Sequence, residues 1–205
     1  MSEGLGDLLA DTGADLLEAV LDQAQQDELL KSIPIVGTVL GLIRISATIK
    51  DILFAAKVKK FLLSLPQISE TTRQTFQKKM QSDEAYRNRV GECLLFTLEK
   101  LDSLEKAAML AKVFASFVNG TINDIVFRRL AAAIELAFID DLHNLAYSIG
   151  LRRYRDLQPL VHTGLVNIYP KINTGSPQFG SFIDDTDISL KISNLGQIFI
   201  GIMKN

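Results

Sequence analysis

Residues able to do chemistry are few in this chain. His143 and His162 are its only histidines and Cys93 its only cysteine, and no HExxH, GxSxG, phosphate-cradling glycine loop or dinucleotide fingerprint occurs. Zinc capture, thiol attack and histidine-assisted serine catalysis are therefore all poorly supplied. Two acidic groups remain, Asp140 with Asp141, and Asp184 and Asp185 with Asp187. A hard cation held by oxygen asks for about six ligands or more, and neighbouring residues on a helix point in different directions. Both groups read instead as solvated caps and turn residues, and the histidines as ordinary helical residues. Cys93 lies in the apolar run ECLLFTLEKL and reads as a reduced, buried thiol acting as a small hydrophobe. No catalytic residue, metal or cofactor is expected, and the chain does not read as an enzyme.

Binding remains as a use for these residues. Arg152, Arg153 and Arg155 place three arginines in four positions, as dense a basic cluster as any in the sequence and a candidate interaction surface. Val36, Val39, Leu40 and Ile43 form a candidate apolar face for a membrane or a partner.

That apolar face belongs to the stretch Ile33 to Leu63, around which the rest is organised. It opens with eleven uncharged residues, and its charges are Arg44, Lys50, Asp51, Lys57, Lys59 and Lys60. A helix apolar on nearly every side belongs inside something. With Pro34 in the first turn and Pro66 beyond the end, one helix of about 30 residues is expected from Ile35 to Leu65. Gly37 and Gly41 would let another backbone approach it closely. The uncharged run is shorter than the roughly 20 residues of a transmembrane helix, and Arg44 interrupts it, so a buried core helix is the expectation.

Charge is unevenly spread. Net charge is −2, yet residues 1–30 carry eight acids and no base, whereas residues 31–60 carry six bases against Asp51. Leu5, Leu8, Leu9, Leu16, Leu17, Val20 and Leu21 recur at helical spacing, so an acidic amphipathic helix could cover the basic apolar one. Alternatively, each helix turns its charge to solvent. Uncovered, the 33–63 helix could meet anionic lipid, which gives one reading as a latched membrane-interacting effector.

Further along, Ser69 to Met80 reads as a short wet helix anchored by Phe76 and Met80. Glu84 to Leu101 shows a stripe of Tyr86, Val90, Cys93, Leu94, Leu98 and Leu101. Asp102 or Ser103 caps the next helix, which closes at Gly120. Asn123 or Asp124 caps Ile125 to Phe138, with Phe127, Leu130, Ala131, Ile134 and Phe138 facing one way. Short loops between these helices argue for antiparallel neighbours in a bundle. A short helix through Tyr147 and a second from Leu151 to Thr163, containing Pro159, come next. The strand LVNIYP, a turn-rich span, a second strand ISLKI pairing back on the first, and a helix NLGQIFIGIMK capped by Ser193 or Asn194 complete the order.

From about Asp124 onward this order resembles a winged-helix unit. LRRYRDLQPLVHTG stands in the place of that family's recognition helix, GLVNIYP is like the strand leaving it, and SLKISNLGQIF is like the strand and helix after the wing. Residues 89–141, RVGECLLFTLEKLDSLEKAAMLAKVFASFVNGTINDIVFRRLAAAIELAFIDD, also resemble uncharacterised proteins of bacteria and their prophages, some of them associated with defence against phage. Winged-helix units serve DNA binding and protein docking alike. For DNA, the resemblance would put Arg152, Arg153 and Arg155 near base edges and phosphates. Asp184, Asp185 and Asp187 on the presumed wing carry the wrong sign, and residues 150–205 hold only six bases against four acids.

The sequence thus predicts a mainly α protein, a helical bundle followed by a small winged-helix-like α+β unit. The bundle is expected over 1–138 with an acidic N-terminal helix. The second unit is expected over 139–205 with a β-hairpin, its first helix shared from 124. At 205 residues the chain can bury about 70% of its unfolded surface and needs no disulfide. No positive charge precedes an apolar run at the N-terminus, so no leader is expected and a cytoplasmic setting is. The expected function is a non-catalytic protein-interaction and oligomerisation module, with itself and an unidentified protein as partners. A winged-helix DNA-binding regulator and the latched membrane effector are the alternatives.

Overall fold

The computed structural model describes residues 48–147, 154–170 and 188–204. Within them the chain is a mainly helical bundle followed by a small α+β unit with a two-stranded antiparallel sheet and a closing helix. It divides into two compact units after Ala131.

The first described helix, α1 (Ile49–Leu63), starts where a side chain tells it to. Thr48 has extended dihedrals (φ −83°, ψ 162°), its hydroxyl accepts from the Asp51 backbone N–H, and the Asp51 carboxylate accepts from the Thr48 N–H at 2.9 Å. This reciprocal box satisfies two backbone donors that a helix start leaves without partners. It also corrects the expectation of one helix from Ile35 to Leu65, because Thr48 is not helical and the chain enters α1 anew there. Hydrogen bonding to Thr48, mainly through its side chain, holds the Asp51 carboxyl below the usual carboxylate range.

Four more helices follow the same grammar. α2 (Glu70–Ser82) is capped by Ser69, α3 (Glu84–Lys100) by Asp83 and α4 (Leu104–Val118) by Ser103. α5 (Asp124–Leu136) is capped by Asn123, whose side-chain oxygen accepts from the Val126 N–H. Gly120 follows α4 at φ +72°, the left-handed conformation that favours glycine after a helix. Phe138, expected on the inward stripe of α5, lies beyond its end and is exposed. Cys93 is only half-buried, not enclosed.

In the first unit, α1 packs against α4 and α3, and α2 against α3 and α4. Rings from every helix meet in the middle. Phe114 on α4 lies 5.7 Å from Phe61, 6.0 Å from Phe76 and 5.9 Å from Phe127, while Phe117 stacks on Phe127 at 4.7 Å. Phe61, Phe114 and Phe127 are fully buried.

Two lysines close the α3–α4 corner. Lys57 of α1 donates through Nζ to the carbonyls of Glu99 and Leu101, at 2.5 and 2.9 Å, where the end of α3 leaves carbonyl oxygens without helical partners. Burial lowers the Lys57 pKa, opposed by Glu99 and then Asp102. Lys106, 1% exposed, sends its ammonium to the Asp102 carboxylate at 2.9 Å. Replacing Lys57 by Met keeps much of the stem and removes both bonds. Lys57→Met is expected to lower the unfolding free energy by about 1–2 kcal/mol in urea denaturation, since charged donors to carbonyls contribute about that much.

The second unit contains α6 (Ile139–Tyr147), α7 (Tyr154–Leu157), a 3₁₀ helix (Gln158–Thr163), β1 (Val166–Pro170), β2 (Ile188–Ile192) and α8 (Asn194–Lys204). The single helix expected from Leu151 to Thr163 is corrected: over the described residues it is one α-turn that tightens to 3₁₀ where Pro159 enters. Proline has no N–H to donate and crowds the preceding turn. α6 packs on α8 and α7, around Leu142, Leu145, Leu160, Phe199 and Met203.

Candidate interaction site

The hairpin of the second unit leaves much of its described surface exposed. Its register pairs Val166 with Ile192, Ile168 with Leu190 and Pro170 with Ile188. Val166 is buried, but the rest of β1 is exposed and β2 is at most half-buried. Ile168 is 54% exposed and Tyr169, on the other face, 43%. A two-stranded sheet with both faces wet is marginal by itself, so its base must be held.

Hydrogen bonds and one close approach hold that base. Gly164 (φ +76°) turns the chain out of the 3₁₀ helix, and the Thr163 hydroxyl donates to the Leu160 carbonyl at 2.6 Å while accepting from the Leu165 N–H. Across the ladder, the Ser193 N–H donates to the Leu165 carbonyl and its hydroxyl to the Gly164 carbonyl at 2.7 Å. The same hydroxyl accepts from the Gly196 N–H and so caps α8. Ser193 therefore ties both strand ends to the closing helix. Gly196 then sits so near the Leu165 carbonyl oxygen that there is no room for a Cβ.

The described strands of the hairpin are largely apolar. Their ten residues, VNIYP and ISLKI, include one charge, Lys191, whose ammonium lies 5.3 Å from the centre of the Tyr169 ring. Exposed Leu136, Phe138 and Tyr147 belong to the same unit.

The other chemistry-bearing residues are placed as follows. His143 stacks loosely on Tyr147, with ring centres 5.6 Å apart, and His162 Nε2 lies 3.4 Å from the Leu136 carbonyl at the end of α5. Asp140 and Asp141 fall in the first turn of α6, where carboxylates complement the helix dipole. Burial, reinforced by Asp140 and opposed by His162, raises the Asp141 pKa. Among the described residues no group of three or more His, Cys, Asp or Glu could hold a metal ion, and no helix is long and apolar enough to cross a membrane.

A groove of about 690 Å³ in the first unit runs between α2, Tyr86 of α3 and the α4–α5 turn. Several of its polar groups are already engaged. Thr75 donates to the Thr71 carbonyl, Asn123 caps α5, Asp124 pairs with Arg128 at 2.8 Å, and Lys79 lies over the Tyr86 ring at 4.1 Å.

Of the arginines expected to form a basic surface, Arg152 and Arg153 lie outside the described residues. Arg155 falls in α7, and its side chain also lies outside them. Val36, Val39, Leu40 and Ile43 lie outside the described residues too, as do Asp184, Asp185 and Asp187. Sequence reasoning missed Ile168 and Tyr169 as exposed groups. The signal was present in VNIYP, which sets large side chains, Ile168 and Tyr169, on opposite faces of one strand.

No protein-family model matches the chain, and neither does any curated protein or solved structure.

Proposed function

We propose that the protein is a non-catalytic interaction and oligomerisation module whose C-terminal hairpin docks on protein, a second copy of the chain first among its partners. The observation that carries this reading is the exposure of Ile168 and Tyr169 on a hairpin whose described strand residues include a single charge, Lys191. Apolar side chains that stand in water on a rigidly held base gain free energy when a partner covers them. The sequence resemblance of residues 89–141 to bacterial and prophage proteins is what supports a place in phage defence.

The second reading is a DNA-binding regulator, for which the winged-helix-like order and the arginines at 152, 153 and 155 speak. Phosphate recognition needs lysines and arginines on the contacting surface. In the described strands that surface offers Lys191 alone. Fluorescence anisotropy with a long mixed-sequence duplex at low salt separates the two. Weak binding that changes little on replacing Arg152, Arg153 and Arg155 together is the expected result. Tight binding with a steep salt slope, abolished in the triple substitution, would reverse the ranking.

A further inference from the structure

α1 has two apolar faces. Ile52, Ala55, Val58, Phe61 and Leu62 are buried in the bundle. On the opposite side Ile49, Leu53 and Leu63 are 61%, 59% and 59% exposed. With half-buried Ala56 and exposed Lys60 they recur at steps of four, three, four and three residues. That is the spacing of a seam against a second helix, with one lysine inside it.

The borders of this seam carry one sign. Lys50 and Lys59 flank it and Lys60 lies in it. Among the described residues none of the three forms an ion pair. The nearest acid, Asp51, is taken up by the Thr48 box. A second copy of α1 would set lysine against lysine along the whole seam, which disfavours self-pairing through it. The seam asks for an acidic helix with an apolar stripe.

We propose that the exposed face of α1 is the docking site for the chain's own acidic segment, residues 5–30. Residues 1–30 carry eight acids and no base, and Leu9, Leu16, Leu17, Val20 and Leu21 recur at helical spacing. α1 has 15 residues and is about 22 Å long. The connector, residues 31–47, can span up to about 56 Å, so the segment reaches any part of the seam in either direction. Tethering supplies it at about millimolar effective concentration, ahead of any free acidic peptide. The inference goes beyond the hairpin and stands or falls without it.

Hydrogen exchange on the full chain, at concentrations low enough for intrachain contacts to dominate, tests it. In the wild type, amides of residues 5–30 should exchange at least about tenfold slower than unstructured chain, and faster as salt is raised. Leu53→Asp should abolish that protection while α4 keeps its own. Should Leu53→Asp disturb α4 as well, Lys50→Glu with Lys60→Glu, at two exposed positions, decides the matter by charge alone. Unprotected residues 5–30 in the wild type, or protection untouched by the decisive variant, would overturn the assignment. So would protection that fades on dilution, which would give the site to a second copy, or anionic vesicles that protect α1 while residues 5–30 exchange freely.

Discussion

Phe114→Ala is expected to remove about 3–5 kcal/mol of stability from the first unit, the range for truncating a fully buried aromatic side chain. Phe114 on α4 meets rings of α1, α2 and α5 at once, with three partners between 5.7 and 6.0 Å. Alanine at this position leaves a cavity bounded by Phe61, Phe76 and Phe127, and the helices carrying them are capped at fixed positions that limit collapse. Domains of this size have about 5–15 kcal/mol in total, so the substitution should consume much of it. Urea denaturation followed by far-ultraviolet circular dichroism reads the shift. A loss below about 1 kcal/mol would mean that the cluster is not the core.

Gly196→Ala should act as strongly on the second unit, and its neighbour on the same helix supplies the control. A Cβ at 196 would meet the Leu165 carbonyl oxygen and the Ile192 side chain, the latter at 2.7 Å, so either α8 or the hairpin base has to move. The bonds that Ser193 donates to the Gly164 and Leu165 carbonyls cross that gap. A loss of about 3 kcal/mol, the upper part of the range for overpacking, is expected. At Gly201 a Cβ meets nothing within 4 Å and the position is exposed. Gly201→Ala should therefore stabilise α8 by about 0.5–1 kcal/mol, because alanine gives up less backbone freedom in a helix. Thermal melts of the two variants should move in opposite directions. Equal effects would remove the close packing of α8 on β1 from the account.

Much of the architecture could be read ahead of the structure because short-range chemistry decides it. Ser103, Asn123 and Ser193 are small polar residues directly before apolar-periodic runs, and each caps the helix that follows. LVNIYP is an apolar run broken by Asn167, ISLKI alternates, and the two pair. What escaped was of two kinds. Thr48 and Asp51 form a box inside an otherwise apolar stretch, where hydrophobic continuity suggested one long helix and hid the polar signal within it. Lys57 was legible as a charge on a basic helix but not as a partner for Glu99 and Leu101, more than 40 residues away in sequence. Long-range pairs of that kind leave no local trace. The two sites expected from the sequence, at Val36, Val39, Leu40 and Ile43 on an apolar helix and at Arg152, Arg153 and Arg155 in a resemblance to a recognition helix, fall largely outside the described residues. The hairpin surface emerged only once strand register and exposure were in view.

Light scattering on the full chain tests the hairpin reading most directly. At micromolar concentration the wild type should show at least twice 22.7 kDa, and Ile168→Asp with Tyr169→Asp should return it to a single chain's mass without changing its helical content. Both residues are exposed, so the substitution removes a contact surface rather than a core. A wild type that stays monomeric up to high concentration, or an assembly that the double substitution leaves intact, would contradict the hairpin as the surface through which this protein acts.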